Sequence, residues 1–140
     1  PLLPSQIAAT YGSQAITLWL DCDDVAFRLK ANTEAFSLFE AEEFMSHQSD
    51  FIGDVVLHSI QKDGTAQGFK IDLITKFSKL FASHPLIISG GAGKYEHFAE
   101  ALDCTSVSGV STANLLNFIG SDMIRIRHRL IDFNYDLARW

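Results

Sequence analysis

The chain has 140 residues, 47% of them hydrophobic and 20% charged, which is the make-up of one globular domain able to bury roughly two-thirds of its unfolded surface. A formal net charge of -6 argues against an electrostatic grip on nucleic acid or on an anionic membrane. No apolar run reaches the ~20 residues that span a bilayer, and no signal peptide is visible.

Four short apolar runs have strand length: Ile16–Leu20, Asp54–His58, Pro85–Ser89 and Ser106–Val110. Each is followed by polar or glycine-rich residues, and near-continuous apolar runs of this kind suit parallel strands covered on both faces. The first loop, Asp21–Phe36, is long enough for a small hairpin, with Ala26–Lys30 as one arm around Asn32. Ser37–Gln48 reads as a helix with Ser37 as N-cap and Glu40 three residues later, carrying Leu38, Phe39, Ala41, Phe44 and Met45 as its stripe. Ile71–Phe81 and Tyr95–Leu102 repeat the helical pattern. A short helix over Ala113–Phe118 and a longer one over Asp122–Ile131 close the chain. Arg125, Arg127 and Arg129, spaced by two, do not share one helical face and read as a solvated surface. Strand followed by helix, four times over, means right-handed crossovers and a parallel sheet.

Four parallel strands form either an open sheet or half of a closed one. The expected fold class is α/β, as the (β/α)4 half of a TIM (β/α)8 barrel. In such a barrel the sheet's inner face is buried by the other four strands; a lone half needs a second copy, a missing N-terminal half or a separate partner chain to cover it. A flavodoxin-like sheet is the alternative, with helices on both faces. The opening residue, Pro1 rather than Met, suggests a fragment, a processed chain or trimmed numbering.

In either architecture the working residues sit where strands run into the following loops. Asp21, directly after the first strand, can serve as a general acid or base, or simply cap the following turn. Ser59–Gly68 holds Asp63-Gly64-Thr65, which suits contact with a ligand hydroxyl or amine but also makes an ordinary Asp-Gly turn. Ser89-Gly90-Gly91-Ala92-Gly93-Lys94 lets backbone amides approach an anion at a helix N-terminus. It is no Walker A loop, because Ile88 stands where the first glycine should be and Tyr95 replaces Ser/Thr. With Ser111-Thr112-Ala113-Asn114 after the next strand, it reproduces the paired helix N-termini of a barrel phosphate site. Cys22 and Cys104 match neither C-x-x-C nor a zinc spacing, and five histidines form no metal array. A reduced, cytoplasmic setting without metal or cofactor is expected.

Ile7-Ala8-x-x-Tyr11-Gly12-Ser13-Gln14-Ala15, the strand ending in Asp21, Ser59-Ile60-x-x-Asp63-Gly64-Thr65 and Ser89-Gly90-Gly91-Ala92-Gly93-Lys94-x-Glu96-His97-Phe98 occur in order and at compatible spacing. Together they resemble the cyclase (HisF-type) subunit of imidazole glycerol phosphate synthase, from its fifth strand to its C-terminus. The resemblance implies residues 1–140 as a single C-terminal half-barrel domain, too short to be the whole catalyst and inactive by itself. It implies a glutaminase partner that delivers ammonia through the barrel, and a bisphosphorylated ribulosyl substrate split into imidazole glycerol phosphate and an aminoimidazole carboxamide ribotide. Asp21 would be one of two catalytic aspartates. Asp63, Gly64, Gly90, Gly91, Ala113 and Asn114 would hold one phosphate, and Asp54 would belong to the ammonia gate. The chain departs from the pattern at Gln61, which replaces an acidic residue, at Glu34–Ser37, and over the tail Ile119–Trp140. The tail resembles paralogues found with surface-polysaccharide genes, which implies a non-catalytic, phosphate-binding ammonia channel docked to a glutaminase and serving a sugar amidotransferase. Pairing with an N-terminal half-barrel, or a homodimer, would complete either form.

Overall fold

Alternation of apolar residues within the strands builds the sheet. A computed structural model describes residues 3–23, 26–29, 35–113, 115 and 122–138. Its strands are β1 (Thr17–Cys22), β2 (Phe27–Leu29), β3 (Asp54–Ser59), β4 (Leu86–Ser89) and β5 (Gly109–Ser111), in the spatial order β2-β1-β3-β4-β5. The β1, β3, β4 and β5 pairings are parallel, and β2 runs antiparallel along Leu20–Cys22. Helices α1 (Pro4–Tyr11), α2 (Leu38–Gln48), α3 (Ile71–Phe77), α4 (Tyr95–Leu102) and α5 (Asp122–Asp132) complete the described elements, with short 3-10 turns at Ser13–Ala15 and Ser49–Phe51.

The four parallel strands lie side by side in chain order. Right-handed crossovers that always step in one direction put every connecting helix on the same face. A flavodoxin-like sheet instead reverses its order after the first strand. Sequential order with one helical face is the arrangement of half a (β/α)8 barrel.

Register shows how the two faces divide. Leu18, Val55 and Leu86 form one rung, and Leu20, Leu57, Ile88 and Val110 the next. These side chains join Ala41 and Met45 of α2, Leu73, Ile74 and Phe77 of α3, Phe98 and Ala101 of α4, and Ile126 and Leu130 of α5 in one core. Phe27 sits at its centre, with ring centroids 4.2 Å from Phe77 and 6.2 Å from Phe81. Successive strand residues point to opposite faces, so Trp19, Val56 and Ile87 form a rung on the other side. Val56 is 4% exposed yet lies outside the helical core.

The helices differ in detail from the periodicity. In α2 the capping box forms, Ser37 accepting from the Glu40 amide and the Glu40 carboxylate accepting from the Ser37 N–H at 2.7 Å. Burial there is confined to Ala41 and Met45, an i, i+4 pair; Phe39 is 72% exposed and is not part of the stripe. Helix α3 ends at Phe77 rather than Phe81, turns carrying the chain onward while Phe81 stays buried. The last strand starts at Gly109 rather than Ser106, because Val107 N–H turns back to the Cys104 carbonyl and Ser108 N–H reaches Leu86. Helix α1 was not expected, although Pro4 opens it and Gly12, at φ 84°, ends it. The hairpin arm forms as β2, and Phe27 also bridges Phe36; the turn around Asn32 lies outside the described residues, as does most of the Ala113–Phe118 helix.

Candidate active site at the strand ends

The rung nearest the C-terminal ends of the strands, on the face away from the helices, is polar throughout. Asp21, His58, Ser89 and Ser111 are successive register partners across β1, β3, β4 and β5. Residues directly opposite on parallel strands project to the same side, so four polar side chains meet at one mouth. Below them lie Trp19, Val56, Ile87 and Gly109, and below those Thr17 and Asp54.

Asp21, expected just after the first strand, lies within β1, which runs on to Cys22; it is half-buried, and the Trp19 indole Nε1–H donates to its Oδ1 at 3.1 Å. This bond fixes a carboxylate that would otherwise swing freely. The Trp19 ring also lies beside His58, with centroids 5.5 Å apart. Nδ1 of His58 is 3.3 Å from Ser89 Oγ, and its Nε2 is 3.9 Å from Oδ2 of Asp63. Asp63 itself is exposed on the loop after β3. His58 had no role assigned from sequence; its position in β3, four residues after Asp54 and so on the same face, was the available signal.

The two glycine loops are held against each other. Gly90 and Gly91 are buried at φ 89° and 107°. A Cβ on Gly90 would stand 2.7 Å from the Ser59 carbonyl oxygen and 3.3 Å from His58 Cε1, and one on Gly91 would run into the Gly68 carbonyl. The Gly68 N–H donates to the Gly91 carbonyl at 2.8 Å. The glycines therefore serve the packing of loop on loop, whatever else they do. His97, from the first turn of α4, clasps the same junction: its Nδ1 accepts from Gly93 N–H at 3.1 Å, and its ring lies against Gly68. Burial first, then the charge of Lys94, pulls its pKa below the ordinary histidine value.

Of the remaining predicted residues, Gly64 turns at φ 74° on the exposed loop beside Asp63. Ala113 is exposed; Asn114 lies outside the described residues. Because Ser89 and Ser111 are partners, the loops entered at Gly90 and Thr112 leave neighbouring strands at one level. Asp54 is at the opposite end of β3, where its Oδ1 is buried and has no hydrogen-bond partner among the described residues. Cys22, on the helical face, has its thiol pushed up to about 12 by burial, so it is no nucleophile near neutrality. No helix among the described residues is long and apolar enough to cross a membrane.

Comparison with known proteins places the sequence in a family. The sequence pattern of the histidine biosynthesis protein family covers residues 1–120. The imidazole glycerol phosphate synthase subunit HisF of Hydrogenobaculum sp. (strain Y04AAS1) is 34% identical over 128 residues, 84% of this chain and 48% of its own length. That of Thermotoga sp. (strain RQ2) is 31% identical over 137 residues, 93% of this chain and 52% of its own. A protein of Parasynechococcus marenigrum (strain WH8102), provisionally named imidazole glycerol phosphate synthase subunit hisF2, is 30% identical over 145 residues, all of this chain and 54% of its own. The chain thus spans about half the length of the curated relatives it matches. A match of 120 residues, on half a barrel whose strand ends carry the expected aspartate and glycine loops, makes the chain a member of the histidine biosynthesis protein family, of the HisF-type cyclase kind.

Proposed function

We propose that residues 1–140 form a single C-terminal half-barrel domain, strands five to eight of a complete barrel, and that the complete barrel is an ammonia-dependent cyclase of the imidazole glycerol phosphate synthase type. It would take ammonia from a glutaminase subunit and convert a bisphosphorylated ribulosyl intermediate into imidazole glycerol phosphate and an aminoimidazole carboxamide ribotide. The observation that carries this reading is Asp21, held by Trp19 at the mouth, one rung from glycine loops suited to a phosphate. A half-buried carboxylate whose orientation is fixed can move a proton to or from a bound substrate. Gly64, Gly90, Gly91, Ala113 and Asn114 would surround one phosphate, with Asp63 on a neighbouring hydroxyl or amine. The unpaired Oδ1 of Asp54, at the other end of the sheet, suits a cation supplied by the half that closes the barrel.

The test is ammonia-dependent turnover of the ribulosyl intermediate by the complete barrel. Asp21→Asn should lower kcat at least about 100-fold, the range of general acid–base catalysis, with the unfolding midpoint unchanged. Full activity in that variant removes Asp21 from the chemistry.

Gln61 favours a second reading. Where the resemblance calls for an acidic residue, this chain places a neutral, exposed amide. On this reading the barrel binds phosphate and conducts ammonia to a sugar amidotransferase without cyclising anything. A complete barrel that stimulates its glutaminase yet turns over no ribulosyl intermediate would decide for it.

A further inference from the structure

The three arginines of α5 do not behave alike. Arg127 is half-buried and lines the gap beside β5, whereas Arg125 and Arg129, one turn apart, share a face. That face looks across to the start of α4, and between the two helices lies a cleft of about 330 Å³. Lys94, Arg125 and Arg129 line it, with Tyr95 and Ile126 as walls and Glu96 as its one acid. The Arg129 guanidinium carbon stands 4.3 Å from the centroid of the Tyr95 ring, which Phe133 flanks at 6.0 Å. A guanidinium laid on an aromatic face is pre-ordered, and its edge N–H groups stay free to bond an anion.

Neither Arg129 nor Lys94 makes an ion pair among the described residues. Like charges at i and i+4 destabilise a helix, yet this chain of net charge -6 keeps Arg125 and Arg129 together. Three cations against one carboxylate leave a surplus of two positive charges, which a phosphate dianion neutralises, and guanidinium forks match its oxygens. A cleft at the small end of ligand pockets holds little beyond the anion and a short carbon chain. We propose that this cleft is a second anion site, which takes the phosphate of a small phosphate ester. None of the residues proposed for the mouth phosphate lines it. Both walls belong to this half of the barrel, so the site stands whether or not the cyclase reading does.

Nitrogen–proton NMR spectra of the complete barrel, titrated with methyl phosphate, test the site residue by residue. The Nε–H signals of Arg125 and Arg129 and the amide of Tyr95 should follow one saturating curve, half-complete at about 1 mM or below. Sodium chloride at equal ionic strength should not move them. Arg125→Gln combined with Arg129→Gln should weaken the curve, followed on the Tyr95 amide, about tenfold or more. Glu96→Gln should tighten it about threefold by removing the one repelling charge, a direction that damage to the fold does not produce. The Gly90 and Gly91 amides report the mouth separately and should respond in these variants as in the parent. Shifts that chloride reproduces, or a curve indifferent to these substitutions, overturn the cleft site. Movement of the Gly90 and Gly91 amides alone also overturns it and leaves the mouth phosphate standing; movement of the cleft signals alone does the reverse. Inorganic phosphate bound where methyl phosphate is excluded overturns the ester as ligand.

Discussion

The two faces of this sheet are made from the same strands and have opposite characters. On the helical face the rungs from Leu18 and Val55 to Leu57 and Ile88 are apolar and closed, and a hydroxyl enters only at the last, where Ser59 pairs with Cys22. On the other face the rungs grade from Asp54, through Trp19, Val56 and Ile87, to the polar row at the mouth. The period-2 alternation of a strand lets one residue belong to stability and the next to chemistry without either interfering. Substitutions on the first face should therefore move stability, and those at the mouth should move binding.

The largest effect is expected in the helical core. Phe77 is 1% exposed and packs on Phe27, so Phe77→Ala should cost about 3–5 kcal/mol by loss of transfer energy and creation of a cavity. Urea unfolding checks this, and ligand affinity of the protein that remains folded should match the parent. Altered affinity without lost stability would mean that the two faces are coupled.

Gly91→Ala should blur the division from the other side. Its φ of 107° disfavours any side chain, and the new Cβ would press on the Gly68 carbonyl. A strain of about 1–3 kcal/mol follows, and separation of the two loops should weaken phosphate binding with it. Parallel denaturation and phosphate titrations read both. Weakened binding at unchanged stability would show that Gly91 serves the ligand alone and not the packing.

How much of this was legible beforehand depends on which forces set each feature. The limits of α4 and most of β3 follow from apolar periodicity and from the turn residues flanking them. The capping box of α2 is local chemistry, readable from Ser37 and Glu40 alone. By contrast, β5 is set by Ile87 and Ser89 on the neighbouring strand, and the run 105–111 contains no signal for its own register. Helix α1 has a proline start and a glycine stop but buries none of its residues, so its periodicity is weak. At the site, Asp21 and the glycines announce themselves as polar or flexible residues after apolar runs. His58 does not, because its meaning comes from partners on β1, β4 and the loop after β3. The glycines were legible as glycines, but not their need to pack on Gly68 and Ser59.

The smallest effect is expected where the two regions meet, at His97. Its ring is held by Gly93 N–H and rests on Gly68, so only the neutral imidazole can accept that bond through Nδ1. Burial, followed by the Lys94 charge, depresses its pKa below 6.5, against the weaker opposing pull of Glu100 and Glu96. With the folded-state pKa below the unfolded one, the unfolded chain binds the proton more readily, and stability rises with pH across that interval. The contribution is fully present above 6.5 and is lost as pH falls through the lowered value. In His97→Gln the side-chain carbonyl can still accept from Gly93 but does not titrate. Urea midpoints taken between about pH 7.5 and about pH 5 should therefore decline less steeply in the variant than in the parent. Equal slopes would mean that protonation leaves the clasp intact, and that the mouth loops are anchored by Gly68 and Gly91 without help from α4.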